Sequence, residues 1–183
     1  MITREDGLKI VRQHVKNANL VKHMIAVSAI MHGLAEKLGQ DEELWEAVGL
    51  LHDVDYERVG NDWDRHGLIS VEMVGELLPE KALHAIKAHN IRTGVNVESS
   101  MDIALLAADA LSGLIVATGL MMPDKKLAQV NVKSLSGKFK DSSFARGVSR
   151  ENILLSEKLG VDIDEFYSIG LSSMQKVSHE IGL

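Results

Sequence analysis

The 183-residue sequence contains no cysteine, so neither a disulfide framework nor a thiolate metal site is available to it. Only two prolines and three phenylalanines are present, which disfavours a β-sandwich or a β-barrel. The start of the chain lacks an uninterrupted apolar stretch, because the polar residues 3–6 follow Met1 and Ile2 directly. We therefore expect a soluble, cytoplasmic protein without a signal peptide.

The residues that are abundant favour helices. Apolar residues make up 45 % of the chain, and alanine, leucine, glutamate and lysine dominate. The longest apolar segment, residues 103–122, contains Asp109 and Ser112. A membrane span would keep such a charge only for function. The segment is therefore predicted to be a buried helix beside a site, with no membrane association.

The pattern of apolar residues, caps and turns predicts one all-α domain, a helical bundle. We expect a core over residues 1–122 and a C-terminal helical extension, residues 123–183, packed on the same domain. The net charge is −6, but residues 124–150 carry seven basic side chains against two acidic ones. This basic extension suits a small anionic ligand better than a long nucleic acid; a solvated surface loop is the alternative. The predicted helices cover about 3–15, 19–38, 41–53, 66–78, 79–89, 99–121, 149–159 and 162–181, with a loop at 56–64.

Six residues of metal-binding type occur in or beside the predicted helices. Imidazole nitrogen and carboxylate oxygen together suit divalent ions such as Mn²⁺, Fe²⁺, Co²⁺, Ni²⁺ and Zn²⁺. Four histidines and two aspartates exceed what one mononuclear site needs, so the set has room for one or two ions. In chain order they are His23, His52, Asp53, His66, His89 and Asp109.

Helical geometry separates these candidates from neighbouring residues of the same type. At 100° per residue, His23 shares a face with the core-forming Val27, whereas His32 points about 180° away and is predicted to be a surface residue. Asp109 interrupts an apolar run, where an unpaired carboxylate would be costly and a cation would remove the cost. Asp102 lies near the helix start and is assigned to its N-terminus.

The segment Leu50-Leu51-His52-Asp53-Val54, with the order of the other candidates, resembles the HD-domain metal-dependent phosphohydrolase superfamily. The resemblance covers about residues 19–120 and implies an HD-type helical fold. It also implies one ion held by His23, His52, Asp53 and Asp109, with Asp53 bridging to a second ion held by His66 and His89. Residues 55–58 depart from the isoleucine-glycine form of the HDIG subgroup, and the segment from Asp109 through residues 144–147 resembles a group of uncharacterised HD proteins.

The resemblance implies hydrolysis of a phosphoester in a small phosphorylated molecule, with a nucleotide as the leading candidate and Mg²⁺ as a further candidate ion. Asp53 is then catalytic, and either Glu57 or Asp55 is a candidate general acid or base. The alternative for Glu57 and for Asp55 is a carboxylate in a loop without a catalytic role. Alternatives are a di-iron oxygenase and a non-catalytic nucleotide-binding module; nucleic-acid hydrolysis is disfavoured, and a homo-oligomer stays open. The candidate phosphate contacts are Arg65, Lys87, Lys125, Lys126, Lys133, Lys138, Lys140 and Arg146.

Overall fold

A computed structural model describes residues 2–183, and within them the chain forms helices and no strands, which confirms the predicted all-α bundle. Four short 3₁₀ turns lie between or after the α-helices, at Trp63–Arg65, Ile91–Thr93, Leu127–Gln129 and Leu155–Leu159. The α-helices in chain order are α1 Arg4–His14, α2 Ala18–Leu38, α3 Glu42–Leu51, α4 Tyr56–Val59, α5 Leu68–Val74, α6 Glu80–Ala88, α7 Ser100–Leu120, α8 Val132–Lys140, α9 Arg150–Leu154, α10 Ile163–Lys176 and α11 Ser178–Ile181.

Local capping fixes the ends of the two long helices, α2 and α7. The Asn17 side chain accepts a hydrogen bond at the start of α2, and Gly39 ends that helix in the left-handed region at φ 62°. At the start of α7, Ser99 and Asp102 form a reciprocal capping box. Asp102 is therefore committed to the helix N-terminus, as predicted, and this leaves Asp109 as the free carboxylate of α7.

Helix α2 lies between α3 and α7, and the close approach of α2 to α3 depends on one glycine. A Cβ atom at Gly49 would lie 2.8 Å from Cα of Ser28, so the two backbones touch at this point. The contact brings the C-terminal end of α3, where His52 follows the last helical residue, close to α2. The packing of these helices thus places the His-Asp dipeptide beside the face of α2 that carries His23.

The C-terminal helices pack on α2 and α7. Val148 in the loop before α9 packs against Gly113, one turn beyond Asp109 on α7. Among the described residues, one helix (α7) is long and apolar enough to cross a membrane by length and composition. In its most apolar window 61 % of the residues are buried inside the bundle. This is weak evidence for a span, since the core helix of a soluble protein passes the same test.

Several stretches differ from the helices predicted from sequence, among them 149–159, which forms the short helix α9 and the 3₁₀ turn Leu155–Leu159. The expected loop at 56–64 contains the short helix α4, and the expected helix start at His66 lies two residues later, because Gly67 adopts φ 87° and breaks the run. The carboxylate of Asp55 supplies the cap for α5 from outside the helix by accepting the backbone N–H groups of Gly67 and Ser70. The predicted last helix is divided at Val177 into α10 and α11.

Candidate metal centre

Four imidazoles and two carboxylates meet at the junction of α2, α3 and α7 with the loop around His66 and the end of α6. The central group is Asp53, whose Oδ1 lies 3.2 Å from Nε2 of His52, 3.3 Å from that of His66 and 3.4 Å from that of His89. Its other oxygen, Oδ2, lies 3.6 Å from Nε2 of His23. The structure thus brings together residues separated by up to 86 positions in the sequence.

Asp109 completes the cluster from the other side of His23. Its Oδ1 lies 3.2 Å from Nε2 of His23, and the side chain is 37 % exposed toward the cavity. Burial raises the pKa of Asp109, but the neighbouring imidazoles of His23 and His52 outweigh this effect and hold the pKa below its usual value. Two sets of ligand atoms, one from His23, His52 and Asp109 and one from His52, Asp53 and His89, are each mutually close enough to hold an ion.

In each of the four histidines Nδ1 has a hydrogen-bond partner, so Nε2 is the atom presented to the centre. Nδ1 of His52 donates to the carbonyl of Gly49 at 2.8 Å, and that of His89 donates to the carbonyl of Ile86. Fixing one ring nitrogen in this way selects the tautomer whose other nitrogen carries a free lone pair. The remaining two partners are the carboxylate of Asp55 for His66 and the hydroxyl of Ser112 for His23.

The chemistry of these atoms fits a divalent cation. Nε2 of His52 is buried and has no hydrogen-bond partner among the described residues, which is costly for a polar atom unless something else binds it. Nε2 of His66 and Nε2 of His89 lie only 3.1 Å apart. With both Nδ1 atoms acting as donors, two lone pairs would face each other there, unless a proton or a cation lies between them.

The electrostatics of the cluster keep its carboxylates ionised. Burial raises the pKa of Asp53, but the neighbouring imidazoles of His52, His66 and His89 outweigh this effect and hold the pKa well below its usual value. Burial lowers the pKa of His52 to about 4, so this imidazole is neutral at physiological pH. Asp53 is therefore anionic and His52 unprotonated, the forms in which both bind metals.

Asp55 is the important residue at this site whose role the sequence did not reveal. Its side chain is fully buried; Oδ1 accepts from Nδ1 of His66 at 2.8 Å and Oδ2 accepts the backbone N–H groups of Gly67 and Ser70. The hydroxyl of Ser70 donates in turn to the carbonyl of His52. One carboxylate thus orients His66 and ties α5 to the His-Asp dipeptide, a role that requires contacts 11 to 15 residues apart.

We expect Asp55→Asn to weaken metal binding by about 10- to 100-fold, because the amide cannot accept from all three donors that now meet the carboxylate. Metal content after dialysis against a fixed concentration of free ion measures the effect. Asp62→Asn is the matched control, since Asp62 is exposed and its side chain makes no capping hydrogen bond. An unchanged affinity in the Asp55 variant would show that His66 needs no such support.

The centre opens into a cavity of about 840 Å³. Five of the six candidate ligands line it, and the sixth, His52, lies behind them and is fully buried. The wall is polar and aromatic. The lining residues beyond the ligands are Asn17, Asn19, Leu20, Tyr56, Glu57, Gly60, Trp63 and Asn90.

The predicted phosphate contacts do not line this cavity. Arg65 pairs with Glu72 at 2.9 Å, and Lys87 pairs with Glu80 at 3.2 Å.

In the extension, Lys138 lies over the ring of Phe144. The other four, Lys125, Lys126, Lys133 and Lys140, are exposed, as is Arg146. Sequence adjacency to a ligand thus did not predict the direction of these side chains.

Glu57 lines the cavity, but both of its oxygens are engaged. They accept the backbone N–H groups of Lys16, at 2.9 Å, and of Asn17, at 2.7 Å. These bonds lower the pKa of the carboxyl. Glu57 therefore fixes the loop between α1 and α2, which carries Asn17 into the cavity wall.

Comparison with known proteins decides the family. The sequence pattern of the HD domain matches residues 20–114, slightly more than half of the chain and all six candidate ligands. This chain belongs to the HD-domain family. HD-domain proteins bind divalent metals and are in general metal-dependent hydrolases, and the clustered histidines and aspartates are those that this family pattern spans.

Several relatives of this HD domain are named Ribonuclease Y. The protein from Enterococcus faecalis is 30 % identical over 141 residues, which cover 73 % of this chain and 26 % of the relative. That from Staphylococcus epidermidis is 36 % identical over 99 residues, 51 % of this chain and 18 % of the relative. An uncharacterized protein of Methanocaldococcus jannaschii is 30 % identical over 112 residues, 58 % of this chain and 64 % of its own length. The chain spans about a quarter or less of these ribonucleases, and no solved structure matches it.

Proposed function

We propose that this HD-domain protein is a metal-dependent phosphohydrolase that cleaves a phosphoester of a small phosphorylated molecule, with a nucleotide as the substrate class. The observation that carries the proposal is the convergence of four imidazole Nε2 atoms on the carboxylates of Asp53 and Asp109, with every Nδ1 engaged elsewhere. Divalent ions bound by such a set lower the pKa of water and neutralise phosphate oxygens.

The protein's own contribution is to hold these groups rigidly and to keep them in the correct ionisation state. Asp53 is anionic and is contacted by all four imidazoles, so its two oxygens are fixed in direction. Ser112 donates to the backbone carbonyl of Asp109 at 2.8 Å and accepts from His23, which couples both ligands to α7. Hydrolysis then requires water to attack phosphorus while the bond to the leaving oxygen breaks and that oxygen takes up a proton.

Glu57 is proposed to be a positioning residue in this reaction, because its oxygens already bind two backbone N–H groups. We expect Glu57→Gln to lower kcat/KM by less than about tenfold and to leave the shape of the pH–rate profile unchanged. Loss of a general acid or base would cost about 10²–10⁴-fold and remove one limb of that profile. A fall in kcat/KM of about 10²-fold or more, together with the loss of one limb of the pH–rate profile, would show that Glu57 is the general acid or base.

The test is metal analysis of protein purified without chelator, followed by a phosphatase screen over nucleotides and sugar phosphates. Mn²⁺, Co²⁺, Ni²⁺, Zn²⁺ and Mg²⁺ are added in separate reactions. Phosphate release that disappears with chelator and returns with one of these ions supports the proposal. Turnover that persists after stripping contradicts it. Iron in the protein together with oxygen consumption in place of phosphate release would instead indicate an oxygenase.

The relatives named Ribonuclease Y favour a second candidate, cleavage of a phosphodiester in RNA. A net charge of −6 weighs against affinity for a long nucleic acid, whose binding depends on basic side chains. A short single-stranded oligoribonucleotide belongs in the same screen. Faster cleavage of this RNA than of any small phosphoester would favour the second candidate.

A further inference from the structure

Two aromatic rings form one side of the cavity next to the candidate metal ligands. The rings of Tyr56 and Trp63, called here the aromatic wall, lie 5.1 Å apart between centroids. Both meet the ring of His66 edge to face, at 5.6 Å and 5.9 Å. Tyr56 is 42 % exposed and lines the cavity, so its ring is accessible to a bound molecule. The aromatic wall therefore offers apolar ring surface one side chain away from the centre, from two rings inclined at 66° to each other, and a base can stack on one of them.

The aromatic wall is held in place by the same framework that positions the ligands. Tyr56 directly follows the buried Asp55 and begins α4. The side-chain amide of Asn90 donates to the carbonyl of Trp63 at 2.8 Å and to that of His66 at 3.0 Å. A ring that stacks on this wall thus meets a surface that is already formed, which reduces the entropic cost of binding.

The charges around the cavity limit how much negative charge a substrate can carry. Within residues 2–183, no lysine or arginine is part of the cavity lining, which instead includes the carboxylates of Asp53, Asp109 and Glu57. The Arg and Lys side chains adjacent in sequence to the centre form ion pairs: Arg65 with Glu72, Lys87 with Glu80 and Arg92 with Asp64. One phosphate can be neutralised at the metal centre, whereas the described lining offers further phosphates no lysine or arginine.

A neutral polar group is available elsewhere in the cavity. Asn19 is exposed to it, and among the described residues its side-chain amide makes no hydrogen bond. An amide offers both donors and an acceptor, which suits sugar hydroxyls and the edges of bases. The cavity therefore combines one anion site, a stacking surface and a neutral hydrogen-bonding group.

We infer that the substrate is a nucleoside monophosphate, with its single phosphate at the metal centre and its base stacked on the aromatic wall. This inference rests on the proposed phosphohydrolase function and narrows its substrate class. It predicts discrimination in two directions: against sugar phosphates, which lack the ring, and against nucleoside triphosphates, which carry the extra charge.

Steady-state kinetics with AMP, UMP, ribose 5-phosphate and ATP test the discrimination against sugar phosphates and against triphosphates. Metal is added in excess so that ATP does not remove it from the protein. The better monophosphate should exceed both ribose 5-phosphate and ATP in kcat/KM by about tenfold or more. Tyr56→Leu should lower kcat/KM for the monophosphate about tenfold more than for ribose 5-phosphate, mainly through KM. Tyr56→Phe keeps the ring and is the matched control. Equal rates on ribose 5-phosphate, a preference for ATP or equal losses in the Leu variant would overturn the inference.

A binding measurement separates this inference from the proposed function. The chain has two tryptophans, Trp63 in the wall and Trp45, which is 1 % exposed and insulated from ligands. If no phosphoester is hydrolysed with any metal, the proposed function fails. Titration of Zn²⁺-loaded protein with AMP, ATP and ribose 5-phosphate then still shows whether a base stacks on the aromatic wall. AMP should quench the fluorescence of Trp63 at concentrations about tenfold below those needed for ATP, and Trp63→Phe should abolish the response. Quenching by ribose 5-phosphate equal to that by AMP would contradict the inference that the base stacks on the aromatic wall.

Discussion

Asp53→Asn should leave the protein folded and remove nearly all of its bound metal and phosphatase turnover. The change preserves side-chain shape but removes the anion that lies between 3.2 and 3.6 Å from four imidazole nitrogens. A neutral amide oxygen is a weaker ligand for a divalent ion. Bound ions contribute several kcal/mol to hydrolysis, so we expect kcat/KM to fall by roughly 10²–10³-fold or more.

Metal content by elemental analysis is the primary measurement for the Asp53 variant, and circular dichroism checks that the helical content is retained. Asp62→Asn serves as the control, because it removes one exposed carboxylate from the neighbouring loop. Full metal content in Asp53→Asn would mean that the imidazoles and Asp109 suffice to hold the ion. Retained turnover with full metal content would contradict the central role given to Asp53.

Short-range rules support three of the six candidate ligands, whereas the complete set is what the resemblance to the HD-domain superfamily implies. His23 shares a helical face with buried residues. His52 directly follows α3, and a side chain at a helix end can point away from the buried face without disturbing the helix packing. Asp109 could be separated from Asp102 because a capping carboxylate has a characteristic position at a helix start. These patterns need only helix periodicity and capping chemistry, and the structure brings together all six candidates that the family resemblance implied.

The surroundings of the ligands could not be identified in this way, because they depend on contacts between distant segments. Asp55 supports His66 through contacts that exist only after the chain turns at Gly67. Glu57 reaches back about 40 residues to the α1–α2 loop, and Arg65 turns outward to Glu72. Sequence adjacency gives no direction for an exposed side chain, and for this reason the predicted phosphate contacts differ from the observed lining.

The second large expected effect concerns the number of bound metal ions, which we expect to be two per chain. The two oxygens of Asp53 face different groups: Oδ2 lies near His23, whereas Oδ1 lies near His66 and His89. A carboxylate in this position is suited to bridge two ions. His66→Gln should therefore reduce the metal content from two equivalents to one, and His23→Gln should remove the other equivalent.

Each of these glutamine variants fills a similar volume but offers a poor ligand for ions that prefer imidazole. Turnover should fall by about 10²-fold or more in both, because two ions held by these residues would together stabilise the charge on the substrate phosphate. His32→Gln is the control, since His32 pairs with Glu42 and Glu46 and lies on the other side of α2 from His23. One equivalent in the wild-type protein, lost in both ligand variants, would show a single ion shared by the whole cluster. The bridging role of Asp53 would then be wrong, and His66 and His89 would instead contact the substrate phosphate.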